Sequence, residues 1–469
     1  MRYTFTFTSQ IFEKLMEHLF RDQSVEQAAY VLCGVSSAEN ETRLLAREVI
    51  LVPAVELVRQ EIDLLSIPSD SFMPVLRHAA ETDQCFVLVH SHPNGISAFS
   101  RADDREEPLL MKAAMNRLES DIQGSMVFSS PDSLAARFWL AAGNEIKSEP
   151  ISIIRIMGNQ YRFLIPANAP LSSHTIPPAL FDRQVRAFGK ELQSLLGNLH
   201  VGVVGCGGTG SAVIEQLIRL GIGILTVIDD DEIQETNISR IHGSGLTDVG
   251  RKKTSVMEEQ ADLVGFGTII RSIPEKVTRQ KTAEALRECD LIFGCTDDHA
   301  GRSVLNALAI RYTIPLIDMG VLIDSQNGTI HSVTGRVTHV RPLTGCLICR
   351  GRIDPLKIAA EMMSANDYHS RVAEGYIPEL GLADPSVITF TTAVASQAVM
   401  EMLHLLTGFM GERTVSELLC RFDYTFFSDQ SGKVAGSSCI CSDPKWVSRG
   451  DHGSFLGIAW PRSEENLPC

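Results

Sequence analysis

The chain has 469 residues, enough at roughly 150 residues per domain for two or three domains with sizeable cores. Hydrophobic residues make up 44% and charged residues 21%, too apolar for a disordered chain, and no run offers the ~20 unbroken apolar residues of a membrane-spanning helix. With 42 Lys and Arg against 57 Asp and Glu the net charge is −15, which repels a phosphate backbone and argues against nucleic acid as the main partner.

The start, Met1–Thr8, has no basic stretch followed by an apolar core, so the expected location is the cytoplasm. In that reducing compartment the 11 cysteines read as metal ligands, reactive thiols or small buried residues rather than a disulfide framework. Ile11, Phe12, Leu15, Met16, Leu19 and Phe20 recur at helical spacing, and Ala28–Cys33, Ala46–Val52 and Cys85–Val89 read as short strands, so this first part is α+β. Side chains alternate across a strand, which places Phe86, Leu88, His90 and His92 on one face and lets two imidazoles converge. Ser100 is a natural N-cap for the helical pattern that follows, with Asp103 in its first turn. Two neutral imidazoles and one carboxylate leave a zinc ion an open fourth position for water, the catalytic rather than the structural arrangement. A nearby carboxylate would carry that water's proton, and Glu26, just before the strand at Ala28, is the candidate. Taken singly, the same residues also fit ordinary strand histidines and a plain helix cap.

From Ile151 to Pro178 the text is punctuated by Pro166, Pro170, Pro177 and Pro178 with Ser172 and Ser173, which reads as a linker. It divides the chain into a first domain over 1–155, a linker over 156–179, a second domain over 180–445 and a loosely held tail over 446–469. In the second domain strands at Val201–Val204, Ile224–Ile228, Leu291–Phe293 and Ile314–Ile317 alternate with helices after Gly210, from Lys252 and around Arg302–Ile310. Such alternation predicts a mostly parallel, Rossmann-like sheet covered by helices on both faces. Gly205, Gly207 and Gly210, with Gly208 among them, form the G-x-G-x-x-G pattern between a strand and a helix. Asp229, at the end of the next strand, suits a ribose hydroxyl. Alone, this set also suits a nicotinamide-dependent dehydrogenase. A triphosphate with magnesium needs cations and an acidic metal ligand as well, and Arg183, Asp231, Asn237, Arg240, Lys253 and Asp297 supply such groups.

Two resemblances organise these motifs. The string His90-x-His92, seven residues, Ser100, two residues, Asp103 resembles the signature of the JAMM (MPN/JAB) zinc metalloproteases over roughly the first 150 residues. That resemblance implies catalytic zinc on His90, His92 and Asp103, Glu26 as general acid/base, Ser100 stabilising the oxyanion, and cleavage after the C-terminal glycine of a ubiquitin-like protein. From about Leu180 to Asp443 the text resembles the ThiF/MoeB adenylating enzymes, which include the ubiquitin-activating enzymes. The implied roles are Asp229 and Asp231 near the ribose and magnesium, and Asn237, Arg240 and Lys253 on the phosphates of ATP. Asp297 would help hold magnesium, and Arg183 would reach the phosphates of the other subunit in a homodimer. The implied partner is a ubiquitin-like or sulfur-carrier protein ending in glycine, with a conjugating enzyme as a further partner if activation leads to conjugation.

Cys346-Leu-Ile-Cys349 has the spacing of half a zinc site, and Cys439-Ile-Cys441 is a candidate for the other half, one residue shorter than the pair found in the resembled family. No cysteine lies between Cys349 and Cys420, and the segment Ser370–Ile377, where thioester-forming relatives carry a nucleophile, has none. The expectation is therefore a bifunctional zinc protease and adenylyltransferase without an obligatory enzyme thioester. The alternative readings are adenylation of another carboxylate or a nucleic-acid substrate with the first domain as a binding module, or a dehydrogenase.

Overall fold

The computed structural model describes residues 1–469 except 63–64, 144, 171–178, 343, 364–367, 369–370, 374–384, 412–415, 425, 430–435, 459 and 461–469. Two units result: Met1–Ser172 together with Pro444–Ser454, and Ser173–Asp443 together with Phe455–Cys469. Among the described residues, no helix is long and apolar enough to cross a membrane.

The first unit is built on one mixed sheet. Its strands are β1 (Arg2–Thr8), β2 (Ala28–Ser37), β3 (Glu41–Leu51), β6 (Cys85–Ser91), β7 (Ile122–Ser130), β8 (Ser133–Ala142), β9 (Glu145–Pro150), β10 (Ile153–Met157) and β11 (Tyr161–Leu164). They lie in the order β11-β10-β1-β3-β2-β6-β7-β8-β9, and β4 (Arg59–Gln60) and β5 (Leu65–Ser66) form a separate small hairpin. Alternation along β2 and β6 sorts side chains into two cores. Val31, Cys33, Val87 and Val89 pack with Phe12 and Leu15 of α1 (Ser9–Leu19). Tyr30, Leu32, Phe86 and Leu88 pack with Leu76 of α2 (Ser69–Thr82) and Met111 of α3 (Arg101–Leu118). Strands apolar on both faces are what a sheet covered on both sides requires. α3 therefore lies over the face of β6 that Phe86 and Leu88 share with His90.

Two boundaries differ from the sequence expectation. The region read as a linker from 156 contributes β11, whose Tyr161 and Leu164 are buried while Arg162 is exposed. Beyond it Asn168 bonds both the amide and the carbonyl of Ala136, each at 3.0 Å, so the first unit extends past Pro166. The segment expected as a loose tail also begins inside this unit. β6 pairs with β2 only as far as Cys33, and residues 34–37 of β2 would otherwise keep an open edge. Residues 444–454 fill that slot: Val35 bridges to Gly450, the Asp451 amide donates to Val35 O at 2.7 Å, and the Ser37 amide donates to Asp451 Oδ2 at 2.7 Å.

The second unit has a sheet in the order β14-β13-β12-β15-β16-β17-β18-β19. β12 (His200–Val204), β13 (Ile224–Ile228), β14 (Ile269–Ile273), β15 (Leu291–Gly294) and the start of β16 (Leu316–Gln326) run parallel. β17 (Thr329–Val340), β18 (Glu417–Arg421) and β19 (Phe426–Asp429) extend it antiparallel. The helices are α4 (Asp182–Asn198), α5 (Gly208–Leu220), α6 (Lys253–Val264), α7 (Gln280–Glu284), α8 (His299–Arg311), α9 (Pro355–Glu361) and α10 (Ile388–Thr407). The strand expected at Ile314–Ile317 starts two residues later and is much longer, because it turns through Asn327-Gly328 into β17. Both turn residues have positive φ, 51° and 79°, as a two-residue hairpin turn demands.

Candidate functional site

The first unit gathers His90, His92 and Asp103 into one group, with a ligand atom of each within 4.8 Å of the others. His90 lies in β6 and His92 just past its end, and their Nε2 atoms lie 3.2 Å apart. Asp103 comes from the first turn of α3, with Oδ1 3.5 Å from His90 Nε2 and Oδ2 3.8 Å from His92 Nε2. Tetrahedral zinc with bonds of about 2.0–2.2 Å sets its ligand atoms about 3.3–3.6 Å apart, so these donors fit that ion with little movement. His92 Nδ1 lies 3.2 Å from the Ile96 carbonyl, an acceptor that keeps the proton on Nδ1 and the Nε2 lone pair toward the site. Ser100 and Asp103 form a reciprocal cap: Ser100 Oγ accepts from the amides of Ala102 (3.2 Å) and Asp103 (3.1 Å), and Asp103 Oδ2 accepts the Ser100 amide at 2.6 Å. Burial opposes ionisation of Asp103, but His90 and the Ser100 amide outweigh it and hold the carboxyl well below its usual range. Because Ser100 Oγ acts here as an acceptor, its O–H remains a donor.

Glu26 is 4% exposed, and its Oε1 lies 3.6 Å from His92 Nε2. Its backbone is pinned on both sides, the amide by Glu61 O at 2.8 Å and the carbonyl by Gln60 Nε2 at 3.0 Å. The small β4–β5 hairpin thus fixes the carboxylate that the sequence assigns to proton transfer. Sequence reasoning passed over Arg137 of β8 and Glu107 of α3, which lie beside this group. Both are buried and bound to each other at 2.8 Å, and burial pushes the Glu107 carboxyl up despite Arg137.

The second unit holds a cavity of about 620 Å³ at the C-terminal ends of β12, β13 and β15, where open α/β sheets bind ligands. Gly205, Gly207, Gly208, Asp229, Asp231, Asn237, Arg240, Lys253 and Asp297 all line it. Gly210 lies just behind, in α5, and shapes the loop: a Cβ there would sit 1.7 Å from the carbonyl oxygen of Gly205. Asp229 is more committed than the sequence suggests. Its Oδ2 accepts the Cys206 amide at 2.6 Å and its Oδ1 the Asp231 amide at 2.9 Å, so it also ties the glycine loop to the end of β13. Burial raises its pKa against the pull of Lys253, whose Nζ lies 3.7 Å away and 2.6 Å from Asp231 Oδ2. Asn237 is buried and its Oδ1 accepts the Gln234 amide at 3.0 Å. Asp229, Asp230 and Asp231 form the acidic cluster of the cavity, and Asp297 lines it without joining that cluster. Arg183 is exposed at the start of α4 and does not line the cavity. Lys276 and Arg302 also line it and were not anticipated; Arg302 could have been found from its place in the first turn of a helix that follows a parallel strand.

The four cysteines expected at the second metal site come together. Sγ separations are 3.9 Å for Cys346 and Cys349, 3.5 Å for Cys346 and Cys439, and 3.6 Å for Cys349 and Cys441. Tetrahedral zinc with Zn–S bonds of about 2.3 Å gives separations near 3.8 Å, so the short Cys-x-Cys pair fits the set. The Gly436 amide donates to Cys349 Sγ at 3.3 Å, the kind of outer contact that stabilises a thiolate ligand. Hydrogen bonding from Cys441, joined by Cys439, lowers the Cys346 pKa although burial opposes it. Cys206, Cys289 and Cys420 are buried, and most of the segment Ser370–Ile377 lies outside the described residues.

Comparison with known proteins gives two family matches: the ThiF family over residues 181–442, and the prokaryotic homologs of the JAB domain over residues 8–141. Among curated relatives, the chain is 28% identical over 273 residues to the adenylyltransferase and sulfurtransferase UBA4 of Yarrowia lipolytica, covering 56% of this chain and 61% of that protein. It is 26% identical over 125 residues to the sulfur carrier protein ThiS adenylyltransferase of Escherichia coli, covering 27% and 50%. It is 32% identical over 136 residues to the tRNA threonylcarbamoyladenosine dehydratase of Haemophilus influenzae, covering 29% and 52%. The chain thus spans about half the length of these relatives. Since the first model covers more than half of the sequence, the chain belongs to the ThiF family, and it carries a JAB-type domain ahead of the ThiF domain.

Proposed function

We propose that the second unit adenylates the C-terminal carboxylate of a ubiquitin-like or sulfur-carrier protein, and that the first unit hydrolyses the peptide or isopeptide bond after the same terminal glycine. The observation that carries the reading is that one chain holds both a cation-lined nucleotide cavity and a three-donor metal group with a carboxylate at its edge.

In the adenylating unit the α5 N-terminus and glycine loop present backbone amides to the phosphates of ATP. Arg240 and Lys253 supply positive charge as the substrate carboxylate attacks the α-phosphorus and pyrophosphate leaves. Lys253 exchanges its Asp231 partner for phosphate, which frees the acidic cluster for magnesium. The product is an acyl adenylate. These cations favour a triphosphate over the pyrophosphate of a dinucleotide, and the relatives named for adenylation support the same choice. Arg183, exposed and outside the cavity, would reach the phosphates of a second copy of the chain in a homodimer.

In the first unit His90, His92 and Asp103 would hold zinc, which when bound lowers the pKa of a water and polarises the scissile carbonyl. Glu26 takes the proton of the attacking water and returns it to the leaving amine, and the Ser100 hydroxyl donates to the oxyanion. Cys346, Cys349, Cys439 and Cys441 would hold a second, structural zinc. With no cysteine between Cys349 and Cys420, the activated carboxylate passes to an external nucleophile, a sulfur donor or a conjugating enzyme.

The test is intact-mass spectrometry of a glycine-ending ubiquitin-like precursor incubated with the protein, zinc, magnesium and ATP. Loss of the residues beyond the glycine followed by gain of one AMP is the expected result. No change in the precursor refutes the reading, and a thiol-sensitive adduct on the enzyme refutes the absence of a thioester.

A further inference from the structure

We propose that Arg137, with Glu107 as its buried counter-ion, is the positioning residue of the first unit's metal group, holding the backbone beside both Ser100 and Asp103. This rests on the metal reading of that group. The guanidinium reaches Asp104 Oδ1 through Nη1 at 2.6 Å, and Glu107 Oε2 through Nε at 3.1 Å and Nη2 at 2.8 Å. Its Cζ lies over two rings, 3.7 Å from the centroid of Phe99 and 4.6 Å from that of Trp139. Each partner outside the sheet adjoins a site residue. Phe99 precedes Ser100, Asp104 follows Asp103, and Glu107 lies one helical turn beyond Asp103.

The base of the clamp is anchored in the sheet. Ser125 of β7 donates to Glu107 Oε2 at 2.6 Å, and Trp139 of β8 donates from Nε1 to Ser125 Oγ at 3.1 Å. Arg137 therefore ties the start of α3 and the loop before it to β8 and, through Ser125, to β7, the neighbour of β6, which carries His90 and leads into His92. A metal site tolerates errors of only about 0.5 Å, and Asp103 comes from a different element than its two histidine partners. Arg suits the task because its planar fork serves two carboxylates while its face stacks on rings; an ammonium cannot do both.

The experiment uses the full chain with Arg137→Lys, which keeps a positive charge beside Glu107 but loses the fork and the stacking. Two quantities are measured: the affinity for the zinc held outside the cysteine cluster, by competition with a chelator, and the melting temperature of the protein stripped of that zinc. The expected result is zinc affinity weakened roughly 10–100-fold, the range for residues that orient metal ligands, with the zinc-stripped melting temperature nearly unchanged. Unchanged zinc affinity overturns the proposal, and so does a lowered melting temperature without a loss of affinity, which assigns Arg137 a purely structural role. Should Arg137→Lys fail to fold, Phe99→Leu decides: it keeps both ion pairs, and zinc affinity that stays at the wild-type level overturns the proposal. If the wild-type protein binds no zinc beyond the cysteine cluster, the metal reading itself falls, an outcome distinct from all of these.

Discussion

Asp103→Asn separates the helix cap that Asp103 forms from the metal-ligand role proposed for it. Asparagine keeps an oxygen to accept the Ser100 amide, now at 2.6 Å, so the reciprocal cap on α3 survives. What it loses is the anionic ligand 3.5 Å from His90 Nε2. Removing a cap altogether costs about 1 kcal/mol, so the metal-free variant is expected to lose less than that. Zinc at 100 times its dissociation constant stabilises the wild-type unit by about 2.7 kcal/mol. At about 2–4 °C per kcal/mol for a unit of this size, zinc raises the melting temperature by roughly 5–11 °C. A 100-fold weaker site at the same free zinc gains only about 0.4 kcal/mol, or roughly 1–2 °C. The assay is differential scanning calorimetry of the first unit's transition in the full chain, with the cysteine cluster saturated beforehand. A zinc-induced rise in Asp103→Asn equal to that of the wild type refutes the assignment of Asp103 as a ligand. A large fall in the metal-free melting temperature refutes the claim that the cap is preserved.

In the second unit, Gly210→Ala drives a Cβ to 1.7 Å from Gly205 O, so ATP binding by calorimetry is expected to fall at least roughly 100-fold; affinity within tenfold of the wild type contradicts this. Glu41→Gln leaves the fully buried Arg43 and Arg155, 2.9 Å and 3.1 Å from the carboxylate, without their shared counter-ion. Denaturant unfolding should show a loss of about 3–5 kcal/mol, and a loss below about 1 kcal/mol is inconsistent with the pairing. The same residue sets an acid limit. Burial opposes ionisation of Glu41, but Arg155, Arg43 and Arg2 together hold its pKa well below the ordinary 4.5. Its stabilisation is therefore complete above pH 4.5 and drains away as pH falls toward the lowered value, and Glu41→Gln should flatten that stretch of the stability–pH curve. Cys439→Ser removes one of four thiolates and should lower the bound zinc by one equivalent in metal analysis; an unchanged metal content excludes Cys439 from the cluster.

The parts of the fold and site that could be read from sequence are those whose signal is local. Strand alternation placed His90 and His92 on one face, and the structure sets their Nε2 atoms 3.2 Å apart. The Ser100 and Asp103 pairing follows from cap spacing alone. One local signal was overlooked: Asn327-Gly328 between alternating apolar residues marks the long β16–β17 hairpin, yet the strand was expected to end at Ile317. The Arg137 and Glu107 pair was missed for another reason. Arg137 is a lone charge among apolar residues and Glu107 is one of several charges in a run, thirty residues from its partner, and only the adjacency of α3 to β8 brings them within 2.8 Å.

The largest departure, the docking of residues 444–454, shows where local reading must fail. Gly34 in sequence is a weak point within an apolar strand, the usual mark of a bulge. In the structure a Cβ at Gly34 would meet the carbonyl oxygens of Ser448 at 2.3 Å and Arg449 at 2.6 Å, and one at Gly450 would meet Val35 O at 2.0 Å. Each glycine is required by the other's segment, more than 400 residues away, and neither carries a trace of its partner in its own neighbourhood. The physical demand is the open edge of β2 beyond Cys33: its backbone groups need partners, and with β6 starting at Cys85 the late segment supplies them, the Asp451 amide donating to Val35 O and the Asp451 carboxylate accepting the Ser37 amide. A chain that reads as domain, linker, domain and tail therefore returns to its first sheet after completing the cysteine cluster at Cys441, and the stability of the first unit depends on residues beyond the ThiF match.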